Sequence, residues 1–140
     1  MIWTKSHSIL TTEATKEQMW KLFADVNNWQ QWDTGIEYAR MEGSFVKGNH
    51  FELKPKGGPK VTIELVETIE NQKFTDLTKF PLALMYGDHT FDETPDGLRI
   101  TTTMTVKGIL GFLWKKLVAQ NIVNGLPKEM PEQVKFATTL

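Results

Sequence analysis

The chain has 140 residues, 40% of them apolar and 24% charged, which suffices for one hydrophobic core and predicts a single domain over residues 1–140. The absence of cysteine excludes disulfides, thiolate metal ligation and a cysteine nucleophile, and a formal net charge of −1 argues against the domain-wide positive field that holds nucleic acid. The opening "MIWTKSHSIL" lacks the basic-then-apolar pattern of a secretory signal, and "GILGFLWKKLVAQNIV" is broken by Lys115 and Lys116 short of the roughly 18–20 apolar residues of a membrane span. The expectation is a cytoplasmic chain without an integral membrane segment, monomeric or weakly dimeric.

Residues 3–12 are rich in β-branched and hydroxyl side chains and read as a first strand. In "EATKEQMWKLFADV" the period changes. Thr15 followed by Gln18 is a capping-box pattern, with Ala14 and Met19 as its staple pair, and Met19, Leu22, Phe23 and Val26 share one helical face. The tryptophans of "NNWQQW" are three apart, so one further helical turn puts Trp29 and Trp32 on the same side.

From residue 35 to 108 apolar and polar residues alternate between short turn signals. The candidate strands are "IEYARME", "NHFELKP", "KVTIELVETI", "KFTDLTKF", "LMYGDHTFDE" and "LRITTTMTV". Pro95-Asp96-Gly97 is the best-defined turn, and Gly87 within a strand pattern suggests a bulge or bend. The C-terminus returns to helix. Leu110, Trp114, Val118, Ile122, Leu126, Met130 and Val134 are spaced by four, a period that drifts against 3.6 residues per turn, and Pro127 and Pro131 predict a kink near residues 124–131.

Each element has one apolar face, so sheet and helix must cover each other, giving an α+β architecture. On the sheet the apolar set runs through Phe51, Leu53, Ile63, Leu65 and Phe74, then Met85, His89, Phe91, Ile100 and Met104. Lys60, Glu64, Lys79, Arg99 and Thr103 mark the wet set. A curved sheet around one helix commonly encloses more space than its side chains fill, which is the physical route to a ligand pocket, with a core packed solid as the alternative.

Three stretches carry a family likeness: "ATKEQMWKLFADVNNWQQWDTGIE", "GSFVKGNHFEL" and "HTFDETPDGLRITTTMTVKGILGFLWKKLVAQNIVNGLPKEM". With their tryptophans, the G-x-F-x-x-G-x-x-F spacing of Gly43, Phe45, Gly48 and Phe51, and the late "GLP", they resemble the polyketide cyclase/dehydrase branch of the START-like (SRPBCC) superfamily. The resemblance covers nearly the whole chain. It implies the helix-grip fold of the birch-pollen allergen: a seven-stranded curved antiparallel sheet around a long kinked C-terminal helix, with two short helices after strand 1. Function follows less closely from such a fold.

His7, His50 and His89 fall on three different strands without the spacing of a preformed pair, which argues against a zinc site. His50 and His7 read as solvent-facing. His89 shares phase with Met85 and Phe91 and faces the interior, where it is either a general base, a ligand anchor or a core histidine satisfied by its neighbours. Asp76 and Thr78 share phase with Phe74, so either can meet His89 across the sheet; at an exposed strand end Asp76 is a solvated acid. "KPKGGPK" is a hairpin tip rather than a phosphate loop, and Lys115-Lys116, which are within reach of anionic lipid headgroups, read as a wet helix face.

The leading expectation is a binding or transport protein for a small hydrophobic or amphipathic ligand, with no cofactor and no metal. Phe51, Ile63, Leu65, Phe74, Met85 and Phe91 are expected to line the pocket from the middle strands, and Ile100, Thr102 and Met104 from the last. Trp114, Val118 and Ile122 close it from the helix, Trp32 stands near the mouth, and His89 or Thr102 fixes orientation. The enzyme alternative, implied by the resemblance, is a polyketide cyclase/dehydrase with His89 or Asp76 moving protons. A third reading is a protein-interaction module, for which an exposed apolar patch at "GILGFLWKK" is the mark.

Overall fold

The computed structural model describes residues 2–140. Their order is strand β1 (Ile2–Thr11), helix α1 (Lys16–Ala24), a 3-10 turn (Val26–Gln31), and then six strands. These are β2 (Ile36–Arg40), β3 (His50–Pro55), β4 (Val61–Ile69), β5 (Lys73–Phe80), β6 (Ala83–Thr94) and β7 (Gly97–Lys107). The C-terminal helix runs continuously through α2 (Gly111–Trp114), a π turn (Lys115–Ala119) and α3 (Gln120–Ala137). Every strand read from the alternating pattern is present.

The strands form one antiparallel sheet in the order β1-β7-β6-β5-β4-β3-β2. β1 therefore leaves the meander and pairs with the last strand, and α1 with the 3-10 turn carries the chain across to the opposite edge. The outer face is wet. There Thr4, Ser6 and Ser8 of β1 hydrogen-bond Thr105, Thr103 and Thr101 of β7 at 3.2, 2.7 and 2.7 Å, a cross-strand ladder contributing roughly 0.2–1 kcal/mol per pair.

Local chemistry sets the joints. Thr15 Oγ1 accepts from the Gln18 N–H at 3.1 Å while Gln18 Oε1 accepts from the Thr15 N–H at 3.0 Å, so the capping box forms, with Ala14 and Met19 both buried beside it. At the β6–β7 turn Gly97 has φ +136°, and a Cβ there would lie 2.7 Å from the Thr11 carbonyl oxygen, so only glycine fits.

One expectation changes. Gly87 forms no bulge: the register shifts lie at residues 36–38 between β2 and β3, and at residues 65–67 between β4 and β5. The C-terminal helix runs on through Pro127 and Pro131, and its departure from α geometry is the π turn at Lys115–Ala119. A π turn holds more residues than an α turn, which offsets the drift of the four-residue stripe across Trp114, Val118 and Ile122. Beyond it Val123, Leu126, Met130, Val134 and Ala137 are buried, with α3 resting on α1 and β1.

Thr15→Ala removes one half of the capping box and is expected to cost about 1 kcal/mol, lowering Tm by roughly 3 °C. Thermal unfolding followed by circular dichroism measures this, and an unchanged Tm would remove the box from the determinants of the fold.

Candidate functional site

The inner face of the sheet is mostly apolar, and a chain of polar groups crosses it beside the buried Thr78. In register, His7 of β1 lies opposite Thr102 of β7, Thr102 opposite His89 of β6, and His89 opposite Phe74 of β5. His89 Nε2 is 3.2 Å from Asp76 Oδ2, and Thr102 Oγ1 is 3.4 Å from His89 Nδ1. A carboxylate oxygen accepts from a ring N–H, so Nε2 is the nitrogen placed to donate to Asp76, and Nδ1 meets the Thr102 hydroxyl in a long, weak contact whose direction follows the tautomer.

Packing fixes the imidazole. Phe74 stacks on it with centroids 4.3 Å apart and 11° between planes, and Phe23 of α1 leans on it at 5.5 Å. Gly87 makes the pair possible. A Cβ at that position would stand 2.7 Å from Asp76 Oδ1, so its absence lets the carboxylate lie over β6 and reach the ring.

Asp76 is thus a partnered acid on the inner face, not a solvated one at a strand end. His7, expected in solvent, is half-buried on the same face, because Trp3, Lys5, His7 and Ile9 oppose the inward residues of β7. His50 is exposed, as read from the sequence. Among the described residues no cluster of His, Cys, Asp or Glu could hold a metal ion.

The residues expected to line a pocket fall into three groups. Phe51, Leu65, Phe74, Phe91 and Ile100 are deeply buried, as are Ile63, Met85, Thr102 and Met104. Trp32 caps one end, where Phe23 meets it edge-on at 5.6 Å and itself stacks on Phe91 at 5.9 Å. Trp114 stands at the other end, stacked on Phe80 at 4.4 Å with its indole N–H donated to the Pro81 carbonyl at 3.0 Å. Val118 and Ile122 are half-buried between them on the helix. The two indoles of "NNWQQW" lie 5.7 Å apart; Trp29 donates its N–H to the Phe23 carbonyl and packs on Phe51.

The interior at the Trp32 end is filled by rings. Trp20, Phe23, Phe45 and Phe74 pack in a continuous cluster. The two best-defined depressions among the described residues are open surface clefts: one of about 490 Å³ beside Trp20, Lys21 and Glu70, the other of about 260 Å³ beside Lys16, Phe91 and Glu93. The large chamber anticipated from the sequence is therefore not among them. Solvent-sized space still reaches the polar chain, since the His89 and Asp76 side chains keep 17% and 15% of their surface accessible.

A second acidic locus escaped the sequence reading. Burial raises the pKa of Asp33, partly offset by the Gly35 N–H and Lys56, and burial together with the charge of Asp33 raises that of Glu129 on α3. No spacing in the sequence links residues 33 and 129; only the approach of α3 to the turn after Gln31 does.

A seven-stranded antiparallel sheet gripped by a C-terminal helix, with two short helices between β1 and β2, is the helix-grip fold of START-like, polyketide-cyclase-like proteins. The crystal structure of Ara h 8.0201 is similar at a TM-score of 0.77, with 11% identity over 100% of both chains. Norcoclaurine synthase from Thalictrum flavum, in complex with dopamine and hydroxybenzaldehyde, is similar at 0.71, with 10% identity over 96% of this chain and 84% of that one. The di-domain ARO/CYC BexL from the BE-7585A biosynthetic pathway is similar at 0.71, with 14% identity over 99% of this chain and 49% of its own. No protein-family model matches the sequence, and neither does any curated protein. At such identities the likeness is one of fold.

Gly87→Ala forces the Asp76 carboxylate aside and is expected to destabilise by about 1–3 kcal/mol, with a shift of the His89 imidazole resonances in NMR; unaltered resonances would detach Gly87 from the pair. Asp33→Asn keeps an acceptor for the Gly35 N–H and removes a charge whose folded-state pKa is raised. Such a raised acid favours the native state below its ordinary range and loses that contribution as pH rises through the folded value. The variant is therefore expected to gain stability at pH 7, by less than about 1 kcal/mol for a partly solvated group, and none at pH 3. An equal gain at both pH values in thermal melts contradicts the assignment.

Proposed function

We propose that the chain binds a small hydrophobic or amphipathic molecule between the inner face of the sheet and the C-terminal helix, with His89 engaging the ligand's polar group. The observation that carries this reading is a hydrogen-bonded Asp76–His89–Thr102 chain on a mostly apolar concave face, with His89 and Asp76 still accessible. A core histidine kept only for packing would be sealed. Apolar walls contribute about 25 cal/mol per Å² buried, and a few polar groups then set orientation. That a protein of the same fold holds dopamine and hydroxybenzaldehyde supports aromatic molecules as one ligand class.

The geometry of the same residues favours a second reading, an enzyme of the cyclase/dehydrase type. A ligand hydroxyl or enol displacing the weak Thr102 contact would meet the Nδ1 lone pair. Asp76 would stabilise the imidazolium formed when the proton moves. The ARO/CYC likeness is consistent with either reading.

Native mass spectrometry and thermal shift with fatty acids, phospholipids and polycyclic aromatics are expected to reveal at least one adduct with a raised Tm. Stability unchanged by every class would sink the binding reading. With a ligand in hand, His89→Ala separates the two. A carrier keeps its affinity within about tenfold, whereas general-base catalysis falls by roughly 10²–10⁴ while binding persists.

A further inference from the structure

We propose that the pole of the molecule opposite Trp32 is a docking surface for an anionic phospholipid membrane. Ten large apolar side chains are exposed among the described residues, and six of them belong to this pole: Ile2, Leu82, Ile109, Phe112, Leu113 and Leu117. They come from segments far apart in sequence. Ile2 pairs with Lys107 at the end of β1, and the Leu110 N–H donates to the Leu82 carbonyl at 3.0 Å, tying the β5–β6 turn to the start of the C-terminal helix. Ile109 is 78% exposed, Leu117 57% and Phe112 55%, more than packing alone would leave on adjacent turns.

Charge decides the occupant. Lys79 and Lys107 flank Leu84 in one cross-strand row, and Lys115 and Lys116 stand among the exposed apolar residues of the helix. None of these four lysines has an ion-pair partner among the described residues. The segments that build the pole, residues 2–12, 77–87 and 97–128, contain no aspartate or glutamate, although the whole chain is slightly acidic. An apolar cap ringed by lysines outside any ion pair, with Lys107 lying 5.3 Å over the Tyr86 ring, matches a bilayer surface, where rings enter the headgroup layer and ammonium groups snorkel to phosphate. Read alone, Lys115-Lys116 fell short of a basic cluster; the fold brings Lys79 and Lys107 to join them. The surface stands apart from the interior, so the proposal holds whatever the pocket binds.

The test is co-sedimentation of the full chain with vesicles of phosphatidylcholine alone or with 30% phosphatidylserine, at low salt and at 0.5 M. Binding is expected only to the anionic vesicles, and salt is expected to weaken it. Phe112→Ser with Leu117→Ser should abolish it, and Lys115→Gln with Lys116→Gln should weaken it about fivefold per lysine. Phe112, Leu117 and Lys116 are exposed and Lys115 is half-buried, so Tm serves as the control for folding in both pairs. No binding to anionic vesicles overturns the proposal, as does equal, salt-insensitive binding to both vesicle types. Sedimentation of the free protein as a dimer that the Phe112→Ser and Leu117→Ser pair dissolves, without vesicle binding, would assign the patch to a second copy of the chain.

Discussion

Phe23 is the contact on which the rest of the molecule depends. Its ring touches Trp29, Trp32, Phe74, Phe91 and His89, so one side chain of α1 joins the short helices to the two central strands. A sheet with one apolar face cannot stand uncovered, and α3 reaches mainly β1 and α1. Coverage of β5 and β6 near Phe74 and Phe91 therefore falls to α1 and the 3-10 turn. Edge-on and stacked ring pairs add about 0.5–1.5 kcal/mol each beyond the area they bury.

That plug also shapes the chemistry. A charged carboxylate on an apolar face is costly unless it is partnered, and its partner must be held in place. Phe74 and Phe23 restrict the imidazole, and the imidazole restricts Asp76. The polar chain is thus a product of aromatic packing, and the open side of His89 is the side the rings leave uncovered. Carrier and proton-transfer readings differ only in what occupies that side.

Much of this was legible in the sequence because it is written in periods. Alternation located six strands, the Thr15–Gln18 pair fixed the start of α1, and the phase of His89 with Met85 and Phe91 turned it inward. What escaped were facts of approach between distant segments. Gly87 reads as a bulge until Asp76 is seen lying across it. His7 sits on an edge strand with hydroxyls on one face and mixed residues on the other, and only the shared parity of Trp3 and Ile9 hinted at its side. A turn widened by one residue leaves no compositional mark, whereas Pro127 and Pro131 are conspicuous and yet fit within a continuous helix.

The π turn at Lys115–Ala119 has a consequence of its own. It offsets the rotational phase of α2 from that of α3 within one continuous helix, so the residues before it and those after it present different faces. Phe112 before the turn and Leu117 within it thereby face outward, while Met130 and Val134 beyond it stay buried. A protein built this way can adapt its outward-facing tip to new surroundings while its inner gasket stays unchanged.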